Sequence, residues 1–368
     1  MKLKVLQENL HTSLTNASRF VSAKAQLPVL ANILLKAAKT KLVVASTNLE
    51  IAISSSIGAQ VAQEGEIAVP AKAITEIVSN LLPGTITLTA EKEQLKIESQ
   101  SSTLNVLSMN TADFPLVPQR VDPKEALSLP KGPFLEGLSQ VLFASSLDET
   151  RPVLTGILMI FKPQELVLVA TDGFRLSQKR IEGKGLKKSQ RLILPKSVLV
   201  EASRLSGEGE EILFGYKESD NQAVFGFSDT VLSSRVLEGE FPDFEKIMPK
   251  ETSLKVELDK EDFLRAVKLA SVFARESANI VKLVFGKDSA KVLAESPSSG
   301  SQETQVEAKT EGSGIEIAFN YRFLEEFLHS VKGETVKIGL SSPSSPGVFT
   351  DPGDKDFIHL IMPVRVQG

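Results

Sequence analysis

Leu42–Asn48 reads LVVASTN, Leu166–Asp172 reads LVLVATD and Ala290–Ser296 reads AKVLAES. These are three versions of one apolar strand followed by a small polar turn. Their alanines, Ala45, Ala170 and Ala294, lie 125 and 124 residues apart. Working outward, Val69-Pro70-Ala71-Lys72 leads into an apolar-periodic run. It returns as Leu194-Pro195-Lys196-Ser197 and as Phe319-Asn320-Tyr321-Arg322, at offsets of 125. Asp113-Phe114-Pro115 is matched by Glu240-Phe241-Pro242 at an offset of 127, and Leu27-Pro28-Val29-Leu30 is echoed by Arg151-Pro152-Val153-Leu154. Several landmarks holding one spacing argue for a triplicated unit. The period is domain-sized, too long for a solenoid. The expected domains are residues 1–122, 123–250 and 251–368.

Each unit repeats internally as two β-α-β-β-β halves. In the first unit the patterning predicts strand Lys2–Leu6, helix Glu8–Ala23 and strands Ile33–Ala38, Lys41–Ser46 and Glu50–Ile57. Strand Glu66–Val69 and helix Ala71–Leu82 follow, stopped by Pro83-Gly84 because proline cannot continue a helix. Strands Thr85–Ala90, Gln94–Ser99 and Ser102–Met109 alternate apolar and polar residues, as half-buried strands do. The fold class is therefore α+β: three tandem similar domains, each with two helices packed inside antiparallel sheets. Three such domains can continue an arc that a dimer could close into a ring, though repetition alone does not compel closure.

Composition removes most chemistry. The chain has no cysteine, so disulfides, thiolate metal sites and thiol nucleophiles are excluded. Its three histidines, His11, His329 and His359, are far apart, which leaves little for a metal site or a catalytic triad. No phosphate loop forms, since Gly183-Lys184 and Gly286-Lys287 lack the following Ser or Thr. GxGxxG, GxSxG and SxxK motifs are also missing. Gly312-Ser313-Gly314 reads as a loop, Asp148-Glu149 as a solvated helix terminus, and Asp351, Asp354 and Asp356 as an exposed turn. No cofactor, metal or catalytic residue is expected. Met1–Glu8 reads as a strand and not a signal peptide, and the apolar run Ile157–Phe161 is too short to cross a membrane. A cytoplasmic, nucleoid-associated protein is the expectation.

Forty-two Lys and Arg against 46 Asp and Glu leave a formal net charge of −4, unlike the basic footprint of a tight nucleic-acid binder. A local basic face remains available. On the helix near Asp259–Arg275, Phe263, Val267, Ala270 and Ala274 make a core face, while Arg265, Lys268 and Arg275 lie broadly opposite. Arg19 and Arg204 are the basic residues of two other helices. An ordinary solvated helix face is the better account of these charges from this helix alone, with Glu261 nearby.

Five segments carry a specific resemblance. They are DETRPVLTG (148–156), VATDGFRL (169–176), GEFPDF (239–244), SSPSSPG (341–347) and the ending IMPVR (361–365). In this order and spacing they resemble the bacterial sliding clamps, the beta subunits of DNA polymerase III, across the whole chain. Phe174 stands where many members have histidine, Val364 replaces a methionine, and Gln367 and Gly368 extend the end. The resemblance implies the DNA-clamp fold and a ring-shaped homodimer of six domains. Helices line a central channel through which duplex DNA passes without sequence preference. It implies a non-catalytic processivity factor that tethers the replicative DNA polymerase and is opened by a clamp loader.

By residue matching, Lys24, Lys72, Arg151, Lys196 and Lys246 fall at DNA-facing positions. Leu154, Thr171, Gly173, Arg175, Leu176, Pro242, Ile247, Leu360, Met362, Pro363, Val364 and Arg365 match a pocket for partner peptides, with the arginine fixing polar ends. Leu104 and Val106 match one side of the dimer interface, Val272 and Phe273 the other. The competing reading is a peptide-docking hub with weak DNA function; an enzyme has no motif behind it.

Overall fold

The computed structural model describes residues 1–22, 27–122, 126–183, 189–249 and 251–365. The first repeat runs β1 (Lys2–Leu6), α1 (Gln7–Ser18), β2 (Asn32–Ala38), β3 (Lys41–Thr47), β4 (Ile51–Gly58), β5 (Gln60–Gln63), β6 (Gly65–Pro70), α2 (Ala71–Ser79), β7 (Thr85–Glu91), β8 (Gln94–Glu98) and β9 (Thr103–Leu107). The second runs β10 (Leu127–Pro130), α3 (Lys131–Val141), α4 (Pro152–Thr155), β11 (Gly156–Phe161), β12 (Glu165–Thr171), β13 (Arg175–Glu182), β14 (Gln190–Pro195), α5 (Lys196–Leu205), β15 (Glu211–Lys217), β16 (Gln222–Phe227) and β17 (Thr230–Arg235). The third runs β18 (Leu254–Asp259), α6 (Lys260–Ala274), β19 (Ile280–Phe285), β20 (Ser289–Ser296), β21 (Gly300–Glu311), β22 (Glu316–Asn320), α7 (Tyr321–Ser330), β23 (Thr335–Leu340), β24 (Gly347–Asp351) and β25 (Asp354–Ile361).

Side-chain hydrogen bonds fix the repeat to the residue. Asn48 Oδ1 accepts from the amides of Glu50 and Ile51, and Asp172 Oδ1 accepts from those of Phe174 and Arg175. Ser296 Oγ does the same for Ser298 and Ser299. The three turns lie 124 residues apart. Ala45 is therefore the counterpart of Val169 and not of Ala170, a shift of one from the alanine landmark. These side chains close the turn because a short polar group reaches its own backbone two and three residues on.

Contacts divide the chain into two packed units. One comprises Met1–Lys131 with Ser197–Val236, the other Gly132–Lys196 with Leu237–Gly368. The division runs through the second repeat, because its strands join sheets with both neighbours. In the first unit, one antiparallel sheet has the order β5-β1-β7-β8-β9, and an eight-stranded sheet has the order β10-β15-β16-β17-β4-β3-β2-β6. Leu10 and Leu14 of α1 and Ile74 and Val78 of α2 are buried with Ile33, Leu35, Val44 and Ile53. In the second unit a single sheet has the order β14-β11-β12-β13-β25-β24-β23-β18-β21-β20-β19-β22. Phe263 and Val267 of α6 and Leu324 and Phe327 of α7 pack on it with Phe319, Phe349 and Phe357.

Adjacent repeats meet through one kind of strand pair. Ile51 of β4 sits opposite Ser234 of β17, and Arg175 of β13 sits opposite Ile361 of β25. The two registers are equivalent under offsets of 124 and 127. Among the described residues, β9 pairs only with β8, and Gly300–Val306 of β21 pairs only with β20. These are the third copies of the same two elements, each with a free edge.

Some boundaries differ from expectation. α1 ends at Ser18, well before Ala23, where a tertiary bond from Ser22 N to Leu30 O (2.9 Å) turns the chain. α2 ends at Ser79, where Asn80 Nδ2 donates to Glu76 O at 2.8 Å and the Asn80 backbone N–H to Ile77 O at 3.1 Å. β5 was absent from the sequence reading; it pairs with β1. Asp148-Glu149 is not a helix terminus. It lies in the loop before α4, where Asp148 Oδ1 accepts from the Thr150 amide and hydroxyl. The 351–356 turn is not simply exposed. Asp351 is buried and accepts from the amides of Gly333 and Gly353, while Asp354 holds Lys179 Nζ at 2.6 Å and Gln140 Nε2 at 2.9 Å. α6 follows its pattern, capped by Asp259, whose carboxylate accepts from Asp262 N, with Glu261 and Asp262 in the first turn.

Candidate functional site

The second unit holds an apolar groove of about 210 Å³ lined by Leu154, Thr171, Gly173, Arg175, Leu176, Pro242, Asp243, Phe244, Ile247, Leu360 and Met362. Its floor is a cluster of Leu158, Ile160, Val167, Val169, Leu176, Ile193, Phe244 and Leu360. Three local devices build the walls. The β12–β13 turn puts Gly173 at φ +94°, a left-handed value that suits glycine. Thr171 Oγ1 locks that turn, donating to Arg175 O at 2.6 Å and accepting from Gly173 N at 3.1 Å. α4, opened by Pro152, presents Leu154. The chain after β17 passes close by: a Cβ on Gly239 (φ +128°) would lie 2.6 Å from Val153 Cγ1. The C-terminal strand completes the groove, with Met362 N bonded to Phe174 O at 2.8 Å.

Nine of the twelve residues matched to a peptide pocket line this groove. Pro363, Val364 and Arg365 do not, and Val364 N instead bonds Ala318 O. Asp243 and Phe244 are additional. Both lie inside the GEFPDF motif, whose second phenylalanine is the signal that locates them.

Arg175 lines the groove as expected, but it is 8% exposed and its guanidinium is occupied, so it has little left for the polar ends of a ligand. Nε donates to Asp172 Oδ2 at 3.0 Å, Nη2 to Phe143 O at 2.7 Å and Nη1 to Glu326. The cation also stacks 4.4 Å from the Phe323 ring centroid. It braces the groove from behind. His359 lies in the same region, fully buried, with Nδ1 2.7 Å from Ser177 Oγ, stacked on Phe327, and Nε2 without a partner among the described residues. Burial, then the charge of Arg175, push its pKa down to about 3. It is neutral at physiological pH.

The basic candidates are dispersed. Lys24 lies outside the described residues. Lys72 is exposed at the start of α2. Arg151 is paired with Asp148, and Lys246 with Asp243 at 2.8 Å; both flank the groove. Lys196 is half-buried, and burial followed by the nearby Arg175 charge lowers its pKa against the opposing pull of Glu326. In the first unit, Glu201 of α5 accepts from Arg19 Nε, shared between its two oxygens at 2.9 and 3.1 Å, from Arg19 Nη2, and from Arg204 Nε at 2.8 Å. Burial raises that carboxyl, but the two arginines outweigh it and hold it below the usual range.

Of the interface candidates, Leu104 is half-buried and Val106 is buried within its own repeat, so Val106 offers only its backbone. The neighbouring Leu107 is 70% exposed, an apolar edge residue that the sequence reading passed over. Val272 is exposed on α6 and Phe273 packs partly against the core. Among the described residues no cluster of three or more His, Asp or Glu is placed to hold a metal ion, and no helix is long and apolar enough to cross a membrane.

Comparison with known proteins accounts for the whole chain. Models of the DNA polymerase III beta subunit match in order: the N-terminal domain at residues 1–118, the central domain at 128–243 and the C-terminal domain at 245–365. The beta sliding clamp of Synechococcus elongatus is 31% identical over 376 residues, covering all of both chains. That of Staphylococcus aureus is 27% identical over 99% of each. Among solved structures, the DNA polymerase sliding clamp of Bacillus subtilis superposes with a TM-score of 0.95 at 25% identity, covering 100% of both chains. The beta subunit of Streptococcus pyogenes gives 0.94, also at 25% identity and full coverage. With three domain models in register and full-length relatives on both sides, the chain belongs to the DNA polymerase III beta subunit family, the bacterial sliding clamps.

Proposed function

We propose that this clamp closes head to tail with a second copy into a ring around duplex DNA, and that the groove tethers DNA polymerase and other partners by short peptides. The chain performs no chemistry; its work is topological. A ring holds DNA without tight phosphate contacts, so it slides, and only weak, sequence-independent attraction is needed. The acidic net charge and the arginines shared with Glu201 suit that task. The three repeats, 1–122, 123–250 and 251–368, act as its domains, in the cytoplasm at the nucleoid.

One observation carries the ring: the two intrachain junctions use equivalent strand registers, and the third copies of those strands have free edges. Applying the same offsets once more pairs β9 with β21 of a second copy. Leu107 then faces Ser299 of the partner subunit, and Asn105 faces Ser301 of the partner subunit. A head-to-tail contact of this kind is heterologous and closes when the rotation closes; it also hides two strand edges. Because the chain lacks cysteine, the pair Asn105→Cys and Ser301→Cys supplies the only thiols. Mild oxidation is expected to give covalent dimers on non-reducing gels. Cross-linking no better than an out-of-register Asn105→Cys, Gln302→Cys control would overturn the pairing.

The groove supports the tether. It is mainly apolar, with a methionine at its mouth that adapts to varied side chains. Phe174, 62% exposed and joined to Met362 through the backbone, adds an aromatic rim.

A further inference from the structure

The two intrachain junctions share a second feature besides strand pairing. α2, α5 and α7 begin at Ala71, Lys196 and Tyr321, so Glu76, Glu201 and Glu326 occupy the same sixth position in each. Glu201, in the second repeat, takes Arg19 from the first. Glu326, in the third repeat, takes Arg175 from the second. In both cases the glutamate of a second helix is strapped by an arginine from the preceding repeat. Glu76 is exposed, and among the described residues no side chain pairs with it.

On the ring reading, the repeat that precedes the first is the third repeat of the other copy. Its first helix, α6, ends on Arg275 as C-cap, just as α1 ends on Arg19 as C-cap. Arg275 is exposed, and among the described residues its guanidinium reaches only Ser271 Oγ of its own helix, at 3.4 Å. Of the other cations on that helix, Lys260 is paired with Glu261 and Arg265 with Asp262. Lys268 is exposed but sits two helical turns from the helix end. Arg275 also lies beside Val272 and Phe273. We infer that Glu76 and Arg275 of the partner subunit form the third strap, an ion pair made only when the ring closes. This rests on the ring reading and specifies which charges register the two copies. Such a pair selects orientation and partner more than it adds affinity.

Sedimentation velocity over a concentration series tests it, on wild type, Glu76→Arg, Arg275→Glu and the double charge swap, with melting curves to show that all four fold. Glu76→Gln and Arg275→Gln repeat the comparison without introducing like charges. Each reversal is expected to raise the dimer dissociation constant about tenfold or more, and the swap to return it to within about threefold of wild type. Raised salt should shrink these differences. A dimeric wild type with single variants no weaker, or a swap that fails to restore, would overturn the strap. Restoration of Glu76→Arg by Lys268→Glu in place of Arg275→Glu would reassign the partner and overturn the pair named here. A wild type that stays monomeric at every concentration would instead overturn the ring.

Discussion

Replacing His359 with glutamine should remove a defined part of the acid sensitivity of this clamp. His359 is fully buried, its folded pKa is pushed down to about 3 against an ordinary 6.5, and its Nε2 has no partner among the described residues. The native state therefore binds fewer protons than the unfolded chain between those values. The stability is complete above about 6.5 and is lost progressively as pH falls toward 3. Between pH 7 and pH 5 the unfolded imidazole gains its proton while the native one does not, which costs about 2 kcal/mol. Glutamine keeps a partner for Ser177 but cannot titrate. It also gives up the ring contacts with Phe327 and Phe143, so the variant is less stable at pH 7 by about 1–3 kcal/mol. At pH 5 the gap should narrow by about 2 kcal/mol. The assay is urea unfolding of both proteins at the two pH values, followed by circular dichroism because the chain has no tryptophan. Taking the difference between proteins cancels every other titrating group. A gap of equal size at both pH values, or a His359 imidazole resonance titrating near 6.5, would refute the reasoning.

Ile247→Asp, on the rim of the groove, should weaken binding of a fluorescein-labelled polymerase tail peptide at least about tenfold in anisotropy, with the melting temperature unchanged. Gly239→Ala should destabilise by about 1–3 kcal/mol, seen as a lower melting temperature, since its φ is left-handed and its Cβ meets Val153. Lys179→Met strands the Asp354 carboxylate, which now pairs with that lysine while only partly exposed. It should cost about 3–5 kcal/mol, and adding Asp354→Leu should recover much of that loss in the same denaturation experiment.

The triplication was legible because each landmark is local: a strand, a two-residue turn and a helix start at a fixed spacing. The structure moved only the first alanine pair, by one residue, once the Asn48, Asp172 and Ser296 turns were seen to be equivalent. Nine groove residues were identified through the family resemblance, seven of them inside its motifs and Ile247 and Leu360 beside them, not through periodicity. Leu154, Leu176 and Ile247 also read as plain core; Leu154 and Leu176 are buried, whereas Ile247 is 46% exposed on the groove rim. What the sequence hid was set by partners far along the chain. Arg175 looks like a free cation until Glu326, 151 positions away, is brought to it. Lys179 and Asp354 are 175 apart, and Arg19 and Glu201 are 182 apart. Helix ends were misread for a nearer reason: Ser22 N reaches Leu30 O just after α1, and Asn80 Nδ2 reaches Glu76 O at the end of α2.

The most direct measurement is retention on circular DNA. The protein is loaded onto nicked circles by a clamp loader, passed through gel filtration in high salt, and passed again after the circles are linearised. Encirclement predicts co-elution with the circles in high salt and release once they are cut, since simple electrostatic binding fails in salt on either form. Absence of retention on intact circles with a loader shown to be competent would contradict the ring and leave a peptide-docking hub as the better account.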